Sequence, residues 1–176
     1  MKLRTKFAVG AGSALLVVSL VGLSSPVWMP LLPQQWQQTL GGQIQTRQGT
    51  VDELFRLTDT GPYRIPSADE PTHAEVDEEY RLAAAVWPWD LPPHWSFPNN
   101  RGVPDVPGHH WTGMGVKAAF ALWAQRSLDA VRAGALEDAD ADHLLDEVED
   151  AYRTLFAEGL LTDRRFVEAS IDPLRR

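Results

Sequence analysis

Apolar and polar residues follow two different patterns along this chain. From Phe7 to Leu32 the residues are almost all apolar, and no Lys, Arg, Asp or Glu occurs between Lys6 and Arg47. From residue 50 onward, apolar residues recur every three or four positions among many charged ones, a spacing typical of amphipathic helices. The pattern therefore predicts a mostly α-helical protein with one apolar amino-terminal helix, a small helical domain and a long irregular arm.

The apolar run has the length and the flanking residues of a membrane-crossing helix. A helix needs about 20 apolar residues to span a bilayer, and we assign residues 7–25 as a transmembrane anchor or signal segment. The tail 1–6 carries three basic residues, which favours a cytoplasmic amino terminus and a domain outside the cytoplasm. A signal peptide cleaved before Ser25, which would release a secreted domain, is the first alternative. A soluble core helix is the second.

Residues 26–48 form a predicted juxtamembrane segment. Apolar residues recur there every four positions among uncharged glutamines, namely Leu32, Trp36, Leu40 and Ile44. This stripe predicts a short helix over residues 33–44 that lies either on the membrane surface or against the domain. Trp36 is accordingly a candidate contact residue.

Five helices are predicted within the extracytoplasmic domain, residues 49–176. Two of them begin with a capping box, in which a Thr side chain and a Glu side chain satisfy free backbone N–H groups. These pairs are Thr50 with Glu53 and Thr72 with Glu75. The predicted ranges are 50–57, 72–87, 112–133, 137–158 and 162–170. Gly134 and Gly159 follow the two longest helices, as glycine commonly does at helix ends.

Residues 87–111, called here the Trp/Pro segment, interleave six prolines with five aromatic residues. Proline excludes helix interiors and central strands, and so many aromatic residues are not typical of solvated disorder. The composition predicts an extended arm wrapped over the helices. Its tryptophans are either core residues or contacts for a ligand or partner, and the candidates are Trp87, Trp89, Trp95 and Trp111.

The charge balance narrows the range of partners. Three of the 16 Lys and Arg lie in the tail 1–6, which leaves 13 against 24 Asp and Glu, a balance of −11. This argues against nucleic acid, whose binding requires neutralisation of phosphates. The chain has no Cys and therefore no disulfides. We expect membrane lipid around residues 7–25 and other envelope or membrane proteins as partners.

Two groups of residues are candidate metal ligands. The first group matches an EF-hand-like calcium loop at positions 1, 3, 5, 9 and 12, with Asp138, Asp140, Asp142, Asp146 and Glu149. His143 departs from this pattern, because it stands where that loop needs Gly. The alternative is an acidic helix start, which the helix dipole favours without any metal and which leaves Asp142, Asp146 and Glu149 on a solvated face. A copper or zinc site is the second hypothesis, with His94, His109, His110 and Met114.

The motifs of nucleophilic, zinc-hydrolase and phosphate-binding sites are absent from the sequence, so we expect neither an enzyme nor a cofactor. The leading hypothesis is an accessory or assembly subunit of an envelope complex. It requires an exposed apolar patch on the Trp/Pro segment or the 33–44 stripe. The alternative is an envelope ligand-binding module for a glycan, a peptide or a metal ion. That alternative requires a concave pocket between the Trp/Pro segment and the 112–133 helix.

The carboxyl-terminal end shows one local resemblance. Residues 155–174 resemble the short helical hairpin, often called SHOCT, at the ends of many bacterial proteins. The matching residues are Gly159, Leu160, Leu161, Thr162 and Phe166, whereas Arg165 and residues 172–174 depart from the family pattern. The resemblance implies an oligomerisation or docking element.

Overall fold

Helices form where the apolar spacing predicts them. A computed structural model describes residues 42–65, 70–101 and 112–175, and within these ranges the protein is mostly α-helical. The α-helices are α1 (Val51–Leu57), α2 (His73–Ala85), α3 (Met114–Arg132) and α4 (Asp138–Ala157). Shorter helical turns occur at Gly61–Tyr63, Val167–Ile171 and Asp172–Leu174.

The predictions for the amino-terminal segment fall outside the described residues. They concern the tail 1–6, the anchor or signal segment 7–25, Trp36 and most of the 33–44 helix. The described end of that predicted helix is extended instead, because Gln43 pairs with Pro98 in an isolated antiparallel bridge. Among the described residues, no helix combines the length and the apolarity needed to cross a membrane.

Both predicted capping threonines stand at helix starts. Thr72 and Glu75 form a complete capping box at α2. The Thr50 hydroxyl accepts a hydrogen bond from the Glu53 backbone N–H at 3.1 Å, whereas the Glu53 carboxylate binds the Arg47 guanidinium. Helix α2 ends two residues before the predicted end, because a residue that precedes proline disfavours the helical conformation and Pro88 follows Trp87.

The helices pack in sequence around one core. Helix α2 packs against α1 and α3, and α3 packs against α4. Helices α2 and α3 approach each other closely at Gly115, where an added Cβ atom would lie 2.4 Å from the backbone nitrogen of Tyr80. Trp87 and Trp123 are the largest fully buried side chains of the described residues. The indoles and the α2–α3 crossing together define the core.

An extended stretch, residues 42–49, lies across the Trp/Pro segment and is called here the strap. The backbone N–H groups of Ile44 and Arg47 donate to the carbonyls of Phe97 and Ala85, at 2.8 and 3.0 Å. The Asn99 N–H donates to the Gly42 carbonyl at 3.0 Å. Residues 42–48, which the sequence assigns to the juxtamembrane segment, are therefore hydrogen-bonded to the domain.

The carboxyl-terminal end differs from the predicted 162–170 helix. The Tyr152 hydroxyl donates to the Asp163 carbonyl at 2.5 Å and holds the chain against α4 before any helical turn begins. The turn that follows, Val167–Ile171, is π-helical, and Phe166 stacks on Tyr152 at a ring distance of 5.0 Å. Arg175 then binds Asp146 and Glu149 at 2.7 and 2.6 Å. This end of the chain is thus fastened to α4.

Candidate functional site

A continuous group of aromatic rings fixes the Trp/Pro segment to the helices. The Trp87 ring lies 5.1 to 5.5 Å from the rings of Trp89, Phe97 and Trp123. The Trp123 indole N–H donates to the Asp90 carbonyl at 2.8 Å, which ties the segment to α3. The buried rings make the segment part of the core. Burial of large aromatic rings dominates the energetics of a core, so the segment is held firmly against the helices.

Asp90 connects the Trp/Pro segment to both the strap and α4. Its carboxylate accepts from the Gln48 side-chain amide at 3.2 Å, and its backbone N–H donates to Glu147 at 3.1 Å. The His143 ring also bonds the Asp90 carboxylate at 3.2 Å, and this hydrogen bond raises the pKa of His143. Trp89 adds a bond from its indole N–H to Asp150 at 2.8 Å.

A tight turn then directs the chain towards α3. The Trp95 N–H donates to the Pro92 carbonyl at 3.1 Å, and Pro93 and His94 are the central residues of this turn. His94 has a φ of +60°, the left-handed conformation that the third residue of a type II β-turn adopts, and proline is common at the second position of such turns. Such backbone conformations cost about 1–3 kcal/mol and cluster at functional sites. The turn thus fixes the backbone from which the His94 and Trp95 side chains extend.

A groove of about 580 Å³ lies between this turn and the carboxyl-terminal half of α3. One wall consists of Pro92, Pro93, His94, Trp95, Ser96 and Pro98. The opposite wall consists of Arg126, Asp129 and Ala130 of α3 and of Ala133, which directly follows α3. The strap adds Gly42 and Gln43. The volume is within the usual range of small-ligand sites. The groove occupies the position that the ligand-binding hypothesis requires.

Several polar groups of the groove have no partner within the described part of the chain. They are the indole N–H of Trp95 and the side chains of Gln43, His94 and Ser96. The carboxylate of Asp129, in contrast, accepts hydrogen bonds from Gln125 at 3.2 Å and Arg132 at 3.1 Å. The free groups are therefore uncharged or weakly basic, and all of them can donate hydrogen bonds.

The structure separates the candidate tryptophans. Trp87 and Trp89 are 0% and 5% exposed and belong to the core, whereas Trp95 is half-buried and lines the groove. Trp36 and Trp111 lie outside the described residues. Arg126, Asp129 and Gln43 were missed as site residues. The single available signal was that Arg126, Asp129 and Ala133 share one helix face at spacings of three and four residues.

The acidic segment 138–149 is helical throughout, since α4 begins at Asp138. An EF-hand-like site needs these carboxylates on a loop that wraps the ion, and this stretch forms no such loop. Glu149 instead binds Arg153 at 2.8 Å and Arg175 at 2.6 Å, and these contacts lower the pKa of Glu149. Asp138, Asp140, Asp142 and Asp146 are exposed.

No group of three or more potential metal ligands occurs among the described residues. Of the proposed copper or zinc ligands, His94 lies in the groove wall and Met114 begins α3. His109 and His110 are outside the described ranges.

A second polar cluster lies at the start of α3. The Glu79 carboxylate of α2 accepts from the Gly115 N–H at 3.0 Å, and the Lys117 ammonium lies nearby. Burial raises the pKa of Glu79 to about 7, against the lowering effects of the α3 backbone N–H groups and Lys117. Burial also lowers the pKa of Lys117. Glu79 supports the α2–α3 crossing and is remote in sequence from the groove residues.

We expect the Glu79→Gln substitution to flatten the pH dependence of stability. Between its unfolded pKa of 4.5 and its folded pKa of about 7, Glu79 binds its proton more tightly in the folded protein. The free energy of unfolding should therefore fall by about 1–3 kcal/mol as pH rises from 5 to 8. Urea unfolding at several pH values measures this slope, and the Gln variant should lose it.

Glu75→Gln is the matched control for this experiment. Glu75 lies one turn earlier on α2, and its hydrogen bonds with Thr72 lower the pKa of Glu75. That residue therefore remains ionised throughout the tested pH range, and its variant should keep the wild-type slope. Equal slopes for wild type and Glu79→Gln would contradict the assignment.

Comparisons of this chain with protein-family models, with curated proteins and with solved structures find no match.

Proposed function

We propose that this chain is a membrane-anchored, extracytoplasmic binding protein whose contact site is the groove between the Trp/Pro segment and α3. Residues 7–25 would anchor it, and it would act by binding another molecule of the envelope. The groove is the one observation that carries the proposal. It combines, in a concavity of about 580 Å³, a half-buried tryptophan, three prolines and polar side chains that have no partner among the described residues.

The rigidity of the groove favours binding as its role. The turn that carries Trp95 rests on Phe97, with ring centres 4.7 Å apart, and its prolines have fixed φ angles. A wall that is already ordered loses little conformational entropy when a ligand binds, and this increases affinity. An uncharged ligand also suits the site, because the Arg126 and Asp129 charges in the opposite wall balance each other.

The geometry favours this reading over a contact surface formed by the Trp/Pro segment. The accessory-subunit hypothesis requires an exposed apolar patch. Trp87, Trp89 and Phe97 are buried, so the described part of the segment, residues 87–101, offers a concavity instead of such a patch. A binding module is consequently the more specific proposal.

Photo-crosslinking in intact cells of the native host tests this function. A benzophenone amino acid in place of Ala133, an exposed residue of the groove wall, should give a crosslinked adduct of the full-length chain. The adduct should lie in the membrane fraction. Its yield should fall at least fivefold when Trp95→Ala or Gln43→Ala is added, because both substitutions remove groove contacts.

The same photoreactive group in place of Leu57 is the control. Leu57 is 41% exposed and is not part of the groove. If the Ala133 position gave no more adduct than Leu57, or if the adduct were insensitive to both groove substitutions, the proposed function would be wrong.

A further inference from the structure

We infer that the ligand of the groove is an extended, proline-containing peptide segment that presents backbone carbonyls to Trp95 and Gln43. This inference rests on the proposed function and specifies the class of ligand. It follows from three properties of the groove. These are its hydrogen-bond donors that no described residue engages, the shape and stiffness of its apolar wall, and its balance of charge.

The groove donors that have no partner in the described part of the chain match a ligand that offers acceptors. The Trp95 indole N–H can only donate, and the Gln43 amide supplies two further N–H groups. A proline residue has a carbonyl acceptor and no backbone N–H. A proline-rich segment therefore pairs with these donors without burying donors of its own, whose desolvation would otherwise cost affinity.

The carboxylate of the groove is already engaged. Asp129 accepts hydrogen bonds from Gln125 and Arg132, which lie on the same helix. Sugar hydroxyl groups need acceptors as well as donors, and a carboxylate is the strongest acceptor that a protein offers. Because Gln125 and Arg132 already occupy part of the acceptor capacity of Asp129, and the Trp95 indole can only donate, the groove favours a peptide carbonyl ligand over a glycan.

The apolar wall suits a polyproline-type helix. Such a helix has three residues per turn, no internal hydrogen bonds and a preformed conformation, and it docks on aromatic-lined grooves. Here the half-buried Trp95 ring lies between Pro93 and Pro98 in sequence, and all three line the groove. Both surfaces are stiff before they meet, so their association orders few rotatable bonds.

The strap supplies backbone groups for an extended ligand. In the antiparallel bridge, Gln43 opposes Pro98 between the flanking bonds of Ile44 and Gly42. A residue in such a non-hydrogen-bonded pair directs its own N–H and C=O away from the partner strand. Within the described ranges, no residue bonds the Gln43 backbone groups, and a chain that runs beside the strap could pair with them.

Calorimetric titration of the full-length chain in lipid nanodiscs tests this inference. The probe is an acetylated and amidated hexaproline, and we expect saturable binding at millimolar peptide or below. A Gly-Ser hexapeptide should bind at least tenfold more weakly, because it is flexible and carries its own N–H groups. A tetramer of N-acetylglucosamine represents the glycan alternative and should give no saturable heat.

Two substitutions of Trp95 separate its contributions. Trp95→Phe keeps an aromatic ring but removes the indole donor, and it should weaken hexaproline binding about threefold. Trp95→Ala removes both and should weaken binding at least tenfold. Tyr63→Ala is the matched aromatic control, since Tyr63 is 41% exposed and outside the groove, and its affinity should equal that of the wild type.

Three outcomes would overturn the peptide assignment. The first is the absence of hexaproline binding by the folded chain. The second is hexaproline binding that neither Trp95 variant weakens. The third is saturable binding of the sugar tetramer that Trp95→Phe weakens while hexaproline does not bind. In the third case the groove remains a binding site and only the ligand class is wrong. The same conclusion holds if crosslinking at Ala133 succeeds but hexaproline does not bind.

Discussion

Replacement of Trp123 by alanine should destabilise the domain by about 3–5 kcal/mol, the usual cost of deleting a buried large aromatic side chain. Trp123 is 0% exposed, and its ring lies 5.4 Å from Trp87 and 6.3 Å from Phe120. Loss of the ring leaves a cavity between α3 and the Trp/Pro segment. Because domains are stable by only about 5–15 kcal/mol, a substantial unfolded fraction is expected. Urea unfolding followed by near-ultraviolet circular dichroism measures the loss.

Conservative substitutions divide this effect into packing and hydrogen bonding. Trp123→Phe loses ring area and the bond to the Asp90 carbonyl. Trp87→Phe loses similar area, but its indole nitrogen has no acceptor among the described residues. Trp123→Phe should therefore cost about 1 kcal/mol more than Trp87→Phe. Leu57→Ala, at an exposed position, should change stability by less than about 0.5 kcal/mol. A similar loss for Leu57→Ala and Trp123→Ala would contradict this account of the core.

The second large effect is expected from Gly115→Ala. A Cβ atom at Gly115 would lie 2.4 Å from the Tyr80 backbone nitrogen and 2.7 Å from the Glu79 carbonyl carbon. Backbone atoms cannot rotate away as a side chain can, so α2 and α3 must separate. Overpacking in a core costs about 1–3 kcal/mol and sometimes more, and here we expect at least about 3 kcal/mol. The separation should also weaken the Glu79 bond to the Gly115 N–H.

Gly134→Ala is the matched control, because it changes the other end of the same helix. Gly134 has a φ of +63°, and no atom of the described residues lies within 4 Å of an added Cβ. Its substitution therefore costs only the strain of a left-handed residue, about 1–2 kcal/mol. In Gly115→Ala the helical preference of alanine over glycine acts in the opposite, stabilising direction. Should urea unfolding show Gly115→Ala to be as stable as the wild type, the close α2–α3 crossing would be refuted.

The helical elements of this protein were predictable because they depend on local chemistry. The capping box at α2 joins Thr72 and Glu75, which are three positions apart. The glycines that follow α3 and α4 end these helices through their own backbone conformation. Helix ends shifted by one or two residues, as at Ala85, where the conformational restriction before Pro88 ended α2 early. The strap depends on distant partners and was not predicted. The last predicted helix, 162–170, is only partly formed, as the π-helical turn Val167–Ile171.

The position of the groove could be predicted from the sequence, but the residues that line it could not. The abundance of Trp and Pro indicated residues 87–111 as the unusual segment, and one of its tryptophans, Trp95, lines the groove. Sequence could not distinguish Trp95 from Trp87 and Trp89, because all three are indoles within two residues of a proline. Their burial differs because Trp87 and Trp89 meet Trp123, whereas the turn at His94 carries Trp95 towards the groove.

By itself, the sequence determined that the described chain is mostly helical and where its helices lie. It also determined that an irregular aromatic segment separates α2 from α3. All three properties follow from residue spacing and from the backbone limits of proline and glycine. Only the tertiary structure decided which tryptophans form the core and that Gln43, Arg126 and Asp129 meet at one groove. It also decided that the carboxylates of Asp146 and Glu149 bind Arg175. The physical reason is that burial and long-range pairing depend on how distant segments fit together, and no local pattern encodes that fit.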